Sequence, residues 1–501
     1  MEQKRSLMFR LVMILLIMFT GDVLTPLQTH NVHANPAQTI AHTAKIDTYV
    51  KSLMNRLQIP GVAVGIVKGE QVVYLKGYGI SGPNQQLITP QTPFIIGSSS
   101  KSFTALATMQ LVEQGKINLD APVQNYLPNF RLADQDASKK ILVKDLLHQV
   151  SGLSTYDGRR AFSNTVPSID ELIVNLKHTS LSEPVGSTFQ YSNLNYDILG
   201  GIVQSVSNES YSEYIQNHIF KPLEMRNSYT STQEAKNEGL ATGYQSIFGF
   251  MVPMKQPDNP SLLASGYLIS SAEDMANYLI AQLNNGRFRH TSIASAESIS
   301  QMHQPYAKDP SVNGYYGMGW EIGGNTIHHR GDVESFHSDM ILDGDTGIVV
   351  LINSQDYLVR GRHLGMFASG ISEIMKGQEP SQEGTSNISG TYVVIDLICS
   401  GIIILMGISI YNLFKWNKKG KTSPFRIFVF ITCLLIFNVI IPAAILIIIE
   451  NYLAPWSMVF SFLPGIGHLM FTLCLLSLCI GIVKVVLLIR KSKLFFVKGV
   501  S

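Results

Sequence analysis

Gly97-Ser98-Ser99-Ser100-Lys101 sets a hydroxyl and an ammonium three residues apart where a stretch of helical apolar spacing begins (Phe103, Leu106, Ala107, Met109, Leu111). An i, i+3 interval puts Ser98 and Lys101 on one helical face. A serine becomes a useful nucleophile only beside a base or cation. The backbone N–H groups at a helix start are also free to meet an oxyanion. The same residues read equally well as a helix N-cap, so this pair alone decides nothing. Tyr191-Ser192-Asn193 follows the turn-forming Glu183-Pro184-Val185-Gly186 and precedes a helix. In extended chain, residues i and i+2 point the same way, so Tyr191 and Asn193 can share a cleft. A phenol held near two cations serves as general base and then acid, while Asn193 holds the Lys101 side chain or a substrate amide. The alternative is a cap at Ser192 or Asn193 with Tyr191 packing. His329-Arg330-Gly331 on a strand again places i and i+2 on one face. There His329 presents a donor, and Gly331 leaves room for a substrate along the strand. A lone histidine is more often structural, and His328 on the opposite face is the candidate for that role.

These groups need elements to hold them. Residues 61–70 and 71–78 read as two strands turning at Lys68-Gly69. Ser98–Gln114, stopped near Gly115, reads as a helix, as do Tyr196–Val206 and Ala272–Leu283. Ser338–Leu342 and Gly347–Ile352 read as a second hairpin across Asp343-Gly344-Asp345, a turn whose composition is ordinary turn chemistry rather than a calcium loop. Strands, then helices, then strands imply one antiparallel sheet built from both chain ends, with the helical middle covering it and forming a second lobe.

The flanks are apolar. Lys4, Arg5 and Arg10 precede the run 11–20, and Val32-His33-Ala34 offers small residues for cleavage, the layout of a secretory signal peptide over residues 1–34. An uncleaved anchor is the alternative, and both export the chain beyond residue 34. A polar linker over 371–391 leads to three apolar segments, 392–414, 427–449 and 466–489, each near the roughly 20 residues that a bilayer demands. Lys415, Lys418, Lys419, Lys421 and Arg426 lie between the first two, and Arg490, Lys491, Lys493 and Lys498 follow the third. Residues 450–465 contain no Lys or Arg. The positive-inside rule makes the C-terminus cytoplasmic and the 38–370 domain extracytoplasmic, in agreement with the export signal. All four cysteines lie beyond residue 398, so the exported domain has neither a disulfide framework nor a thiolate nucleophile. With 38 basic and 36 acidic residues and no basic block among aromatics, a nucleic-acid partner is not expected.

Taken in order, Ser98-x-x-Lys101, Tyr191-x-Asn193 and His329-x-Gly331 resemble the motifs of the serine β-lactamase and penicillin-binding-protein superfamily, in particular its class-C-like branch. Residues 94–105, Leu146-Leu147-His148-Gln149-Val150-Ser151-Gly152-Leu153, residues 191–200 and residues 220–225 extend the likeness over about 40–360. The resemblance implies an α+β fold, an antiparallel sheet flanked by helices plus an all-helical lobe, with the site between them. It implies that Ser98 is acylated, that Lys101 and Tyr191 share the proton traffic, and that Asn193 orients Lys101 and substrate. His329, Gly331 and Asp332 would bind substrate, and the N–H groups of Ser98 and Asp332 would form the oxyanion hole. No metal or organic cofactor is implied. The expected partners are the lipid bilayer and a small-molecule or peptidoglycan-derived acyl substrate, a D-amino-acid amide or ester of the cell envelope. A β-lactamase, a plain esterase, an acylated sensor and a pseudo-enzyme are the rival readings. Two departures stand out: His329 replaces the lysine of strict β-lactamases and points away from efficient β-lactam hydrolysis, and Ser335-Phe336 stands where Gly-Phe is usual.

Overall fold

The computed structural model describes residues 36–163, 166–255, 258–381, 387–416 and 424–498. The signal peptide read over 1–34 and the basic residues Lys418, Lys419 and Lys421 lie outside them. Residues 1–43 and 44–501 form two compact units. In the first, residues 36–43 are helical; the second holds the sheet and the helices from residue 44 onward.

The frame is an eight-stranded antiparallel sheet, β1 (Gly61–Lys68), β2 (Gln71–Gly79), β3 (Ala307–Asp309), β4 (Gly314–Tyr316), β5 (Glu321–Gly323), β6 (Thr326–Val333), β7 (Phe336–Asp343) and β8 (Thr346–Ile352), ordered β2-β1-β8-β7-β6-β5-β4-β3. Both chain ends build it, as the order of strands and helices implies. Alternation along each strand divides its side chains between two cores. Val62, Val64 and Ile66 of β1 with Ile348, Val350 and Ile352 of β8 pack on α1 (Pro36–Leu57) through Ile46, Val50 and Leu53. Ala63, Val67, Val349 and Leu351 face the helical lobe, which includes α2 (Ser100–Glu113), α3 (Thr155–Ser163), α4 (Asn193–Ser207) and α5 (Ala272–Leu283). Gly65 lets α5 close on the sheet, since a Cβ there would lie 2.8 Å from the Ala272 carbonyl oxygen.

Both expected hairpins and α5 fall where the pattern places them. α4 begins three residues earlier than Tyr196, at Asn193, and ends at Asn208 in the left-handed conformation (φ 61°). α2 is preceded by a 3₁₀ turn, Gly97–Ser99. Residues 100–111 of α2 are all buried, so it is the central helix of the lobe. The acidic turn after β7 is held by cations: Asp343 pairs with Lys376, and Asp345 lies 3.8 Å from Lys68.

After α6 (Met366–Met375), three helices are long and apolar enough to cross a membrane, over Ile388–Asn412, Ile427–Leu453 and Ile466–Arg490. They belong to α7 (Ile388–Trp416), α8 (residues 424–453) and α10 (Ile466–Lys498), with a short α9 (Trp456–Phe462) between the last two. α7 starts four residues ahead of the expected Tyr392 because Ile388 and Tyr392 are buried in the α1 core. The Tyr392 hydroxyl donates to Asp356, and its ring lies 5.0 Å below the Arg360 guanidinium.

Candidate active site

The turn that carries Ser98 is shaped by two glycines. Gly97 adopts φ +52°, where a side chain is strained, and a Cβ there would sit 2.6 Å from the Asp332 nitrogen. Gly331 on β6 meets the same turn from the other side; its Cβ would lie 2.0 Å from the Ile96 carbonyl oxygen. The end of β6 therefore presses directly on the turn that carries Ser98. Neither serine of the turn acts as a cap. Ser99, in the N-cap position of α2, makes no side-chain cap bond and pairs instead with the Ser338 hydroxyl on β7 at 2.7 Å. Ser338 donates in turn to the Ile96 carbonyl at 2.6 Å.

Lys101 is fully buried and its Nζ reaches three oxygens: Ser98 Oγ at 3.0 Å, Asn193 Oδ1 at 2.7 Å and the Ser265 carbonyl at 2.6 Å. The amide and peptide oxygens can only accept, so they fix two N–H bonds. The third direction, toward Ser98, carries a proton in the ammonium and a lone pair in the amine. Burial pushes the Lys101 pKa well below that of a free lysine, against the attraction of Asp197 and Glu321. Burial likewise pushes the Asp197 carboxyl up, with Lys101 opposing it.

The Tyr191 ring centroid is 4.8 Å from Lys101 Nζ. Of the two cations that the base reading asks for, Lys101 is in place beside the phenol, while burial pushes the neighbouring His329 toward its neutral form. Burial lifts the Tyr191 phenol well above its ordinary 10, so the phenol keeps its proton at neutral pH. Ser192, which precedes α4, makes no side-chain cap bond. Its N–H is taken instead by the side chain of Gln149 at 2.9 Å.

His329 is 1% exposed, among Tyr191 and Tyr316, while His328 on the other face pairs with Glu321 at 3.3 Å. The donor expected of His329 is engaged: its Nδ1 meets the Arg330 carbonyl oxygen at 2.7 Å, which must accept. Nε2 is left to accept from the Tyr316 hydroxyl at 3.3 Å. Burial, with the charge of Lys101 adding to it, pushes His329 down to about 3. The pH–rate profile of any reaction here should show no inflection from His329 between about pH 5 and 8. A His329→Gln enzyme is expected to keep the wild-type profile shape over that range, whatever its absolute rate.

Asp332 contributes backbone rather than side chain to the site. Its carboxylate accepts from His337 Nδ1 at 2.7 Å and from the Gln355 amide. The departure at Ser335 is resolved away from the nucleophile: its side chain fills the space above Gly243, whose Cβ would lie 2.2 Å from Ser335 Oγ. Ser98, Lys101, Tyr191, Asn193, His329, Gly331 and Asp332 therefore converge from α2, the start of α4 and β6. Gln149, Asp197, Ser265 and Tyr316 join them without having been singled out. The first two lie inside segments that carry the resemblance. Ser265 gives only a carbonyl and left no sequence signal. Among the described residues no group of His, Cys, Asp and Glu is placed to hold a metal ion.

A family model named Beta-lactamase matches residues 46–365. Protein flp of Staphylococcus aureus strain MW2 is 30% identical over 318 residues, 62% of this chain and 62% of its own length. Unguisins hydrolase ungD' of Aspergillus campestris is 27% identical over 330 residues, 60% of this chain and 59% of its own. The chain thus spans about 60% of the length of these curated relatives. Among solved structures, the octameric penicillin-binding protein homologue from Pyrococcus abyssi superimposes with a TM-score of 0.61 at 31% identity, covering 68% of this chain and 79% of that one. FmtA from Staphylococcus aureus shares the fold at a TM-score of 0.56 and 23% identity, over 71% of this chain and 94% of that one.

Proposed function

Because the chain belongs to the Beta-lactamase family, we propose that it is a membrane-anchored, extracytoplasmic serine hydrolase acting through an acyl-enzyme on D-amino-acid amides or esters of the cell envelope. The observation that carries this reading is the buried Lys101, bonded at once to Ser98, Asn193 and the Ser265 carbonyl. A relative named as a hydrolase and a structural neighbour named as a penicillin-binding protein homologue support it.

The chemistry proposed follows from the geometry. Neutral Lys101 takes the Ser98 proton while Oγ attacks the substrate carbonyl. The oxyanion forms beside the N–H groups of Ser98 and Asp332, which the contact of Gly97 with β6 brings together. Tyr191 gives its proton to the leaving amine or alcohol and regains one from the Lys101 ammonium. Deacylation runs the same path in reverse with water as nucleophile. A neutral His329 whose donor is engaged gives a substrate carboxylate no charged partner, which supports esters and amides over β-lactams.

The test is covalent labelling of the purified full chain with a fluorescent fluorophosphonate and a fluorescent penicillin, beside Ser98→Ala. Wild type should label with at least one probe and then lose the label, and the variant should not label. A wild type that never labels, or a variant that labels equally, sinks the reading. Label that persists points to an acylated sensor.

A further inference from the structure

Residues 450–465, between the second and third apolar helices, do not hang free beneath the domain. They are seated on it beside the site. The Tyr156 hydroxyl on α3 donates to the Glu450 carbonyl, and Arg159 Nη1 donates to the Leu453 carbonyl at 2.8 Å, at the last turn of α8. Gln245 donates to the Ser461 carbonyl at 2.6 Å. Phe462 of α9 is wedged between two rings, Phe162 of α3 at 5.6 Å and Tyr357 at 5.1 Å. Each ring leads to the site. Phe162 lies 6.0 Å from Tyr267, two residues after the Ser265 that holds Lys101. Tyr357 donates to the Val333 carbonyl at 3.1 Å, one residue beyond Asp332.

The thickness between site and span is also fixed. α3 also touches the start of α4: a Cβ on Gly158, one turn before Phe162, would stand 2.7 Å from the Asn193 nitrogen and 2.8 Å from Ser192 Oγ. α3 thus contacts both Asn193 and the end of the second apolar helix. A helix with its side chains is about 10–12 Å across, and each headgroup layer of a bilayer adds only about 5–7 Å beyond the hydrocarbon. The other attachment is equally short, since Tyr392 at the head of the first span is bonded into the domain core. Held at both points, the cleft has no slack with which to rise from the bilayer.

We propose that the loop 450–465 is part of the substrate site, with Phe462 its positioning residue, and that the substrate is lipid-anchored, its reacting ester or amide within about 10 Å of the headgroups. This rests on the reading of the chain as a membrane-spanning hydrolase. A hydrolase serving distant or dissolved substrates gains nothing from a cleft pinned at the surface. One serving bonds that project only a short way from the lipid requires it.

The test uses the full chain in phosphatidylglycerol–phosphatidylcholine vesicles and one fluorophosphonate warhead in three forms: dissolved, on a diacyl anchor through a short linker, and on the same anchor through a spacer of about 50 Å. Ser98 labelling by the short-linked probe should exceed that by the long-spaced probe at equal surface density by about tenfold or more. Phe462→Ala should bring that ratio toward one; being a ratio within one sample, it does not depend on the folded fraction. Equal labelling by both anchored probes in wild type, or a ratio unmoved in Phe462→Ala, overturns the proposal. If the dissolved probe labels Ser98 while the ratio is one, only this inference fails. If no form labels wild type, the hydrolase reading fails with it.

Discussion

Lys101→Met is expected to lower the rate of Ser98 acylation by about 10²–10⁴-fold, the range of a positioned general base. Methionine keeps the length and apolar stem of the side chain but removes the lone pair that faces Ser98. It also leaves Asn193 Oδ1 and the Ser265 carbonyl without their donor. The wild-type pH dependence follows from the same burial. The base works deprotonated, so activity falls as pH drops through the Lys101 pKa. Because burial lowers that pKa, the acid limb should lie well below the 10.4 of a free lysine. In Lys101→Met that limb should vanish and leave a low, flat residual rate. Labelling kinetics against pH, with near-UV circular dichroism to verify the fold, measure both. A variant that retains wild-type rate, or a limb that remains after the lysine is gone, would assign the base elsewhere.

The second large effect is expected at Gly331. Alanine there introduces a Cβ 2.0 Å from the Ile96 carbonyl oxygen and 2.4 Å from Ser338 Oγ. The nearer contact is backbone, so no rotamer change relieves it, and the end of β6 must move off the nucleophile turn. Two losses follow together. Overpacking of this kind costs roughly 1–3 kcal/mol, and, on the proposed mechanism, separating Asp332 from Gly97 removes one of two oxyanion donors, worth about 10²–10³ in rate. Gly344→Ala makes the control, because its Cβ meets nothing within 4 Å and only its φ of +62° is strained. Thermal unfolding and labelling of both variants decide the matter. A Gly331→Ala enzyme with wild-type rate would show that the approach of β6 to Gly97 is not needed.

Much of the molecule was legible in advance for a simple reason: local periodicity reports burial. Val62-Ala63-Val64-Gly65-Ile66-Val67 alternates between two cores, and such a strand can hardly be anything but a central one. The apolar spacing from Ala272 to Leu283 reads as a helix, and α5 spans those residues. The order of Ser98, Lys101, Tyr191, Asn193 and His329 carried the resemblance. Gln149 was less legible, because a residue at φ +61° whose amide holds Ser192 from 43 positions away leaves no periodic trace.

The sequence by itself thus determined which groups are available: a serine and lysine on one face, a tyrosine and asparagine before a helix, a histidine and glycine on a strand, and three long apolar helices. It could not choose between cap and nucleophile for Ser98, or between donor and bystander for His329. Those choices depend on charge state and contact. Both are set by groups from distant parts of the chain: Ser265 and Asn193 around Lys101, Tyr316 and the Arg330 carbonyl around His329. The same holds for the segment 450–465, whose composition marked it only as a connection between two apolar helices. Its place was decided by where α3 packs, since the glycine at 158 lets that helix approach the start of α4 while Tyr156 and Arg159 bond residues 450 and 453.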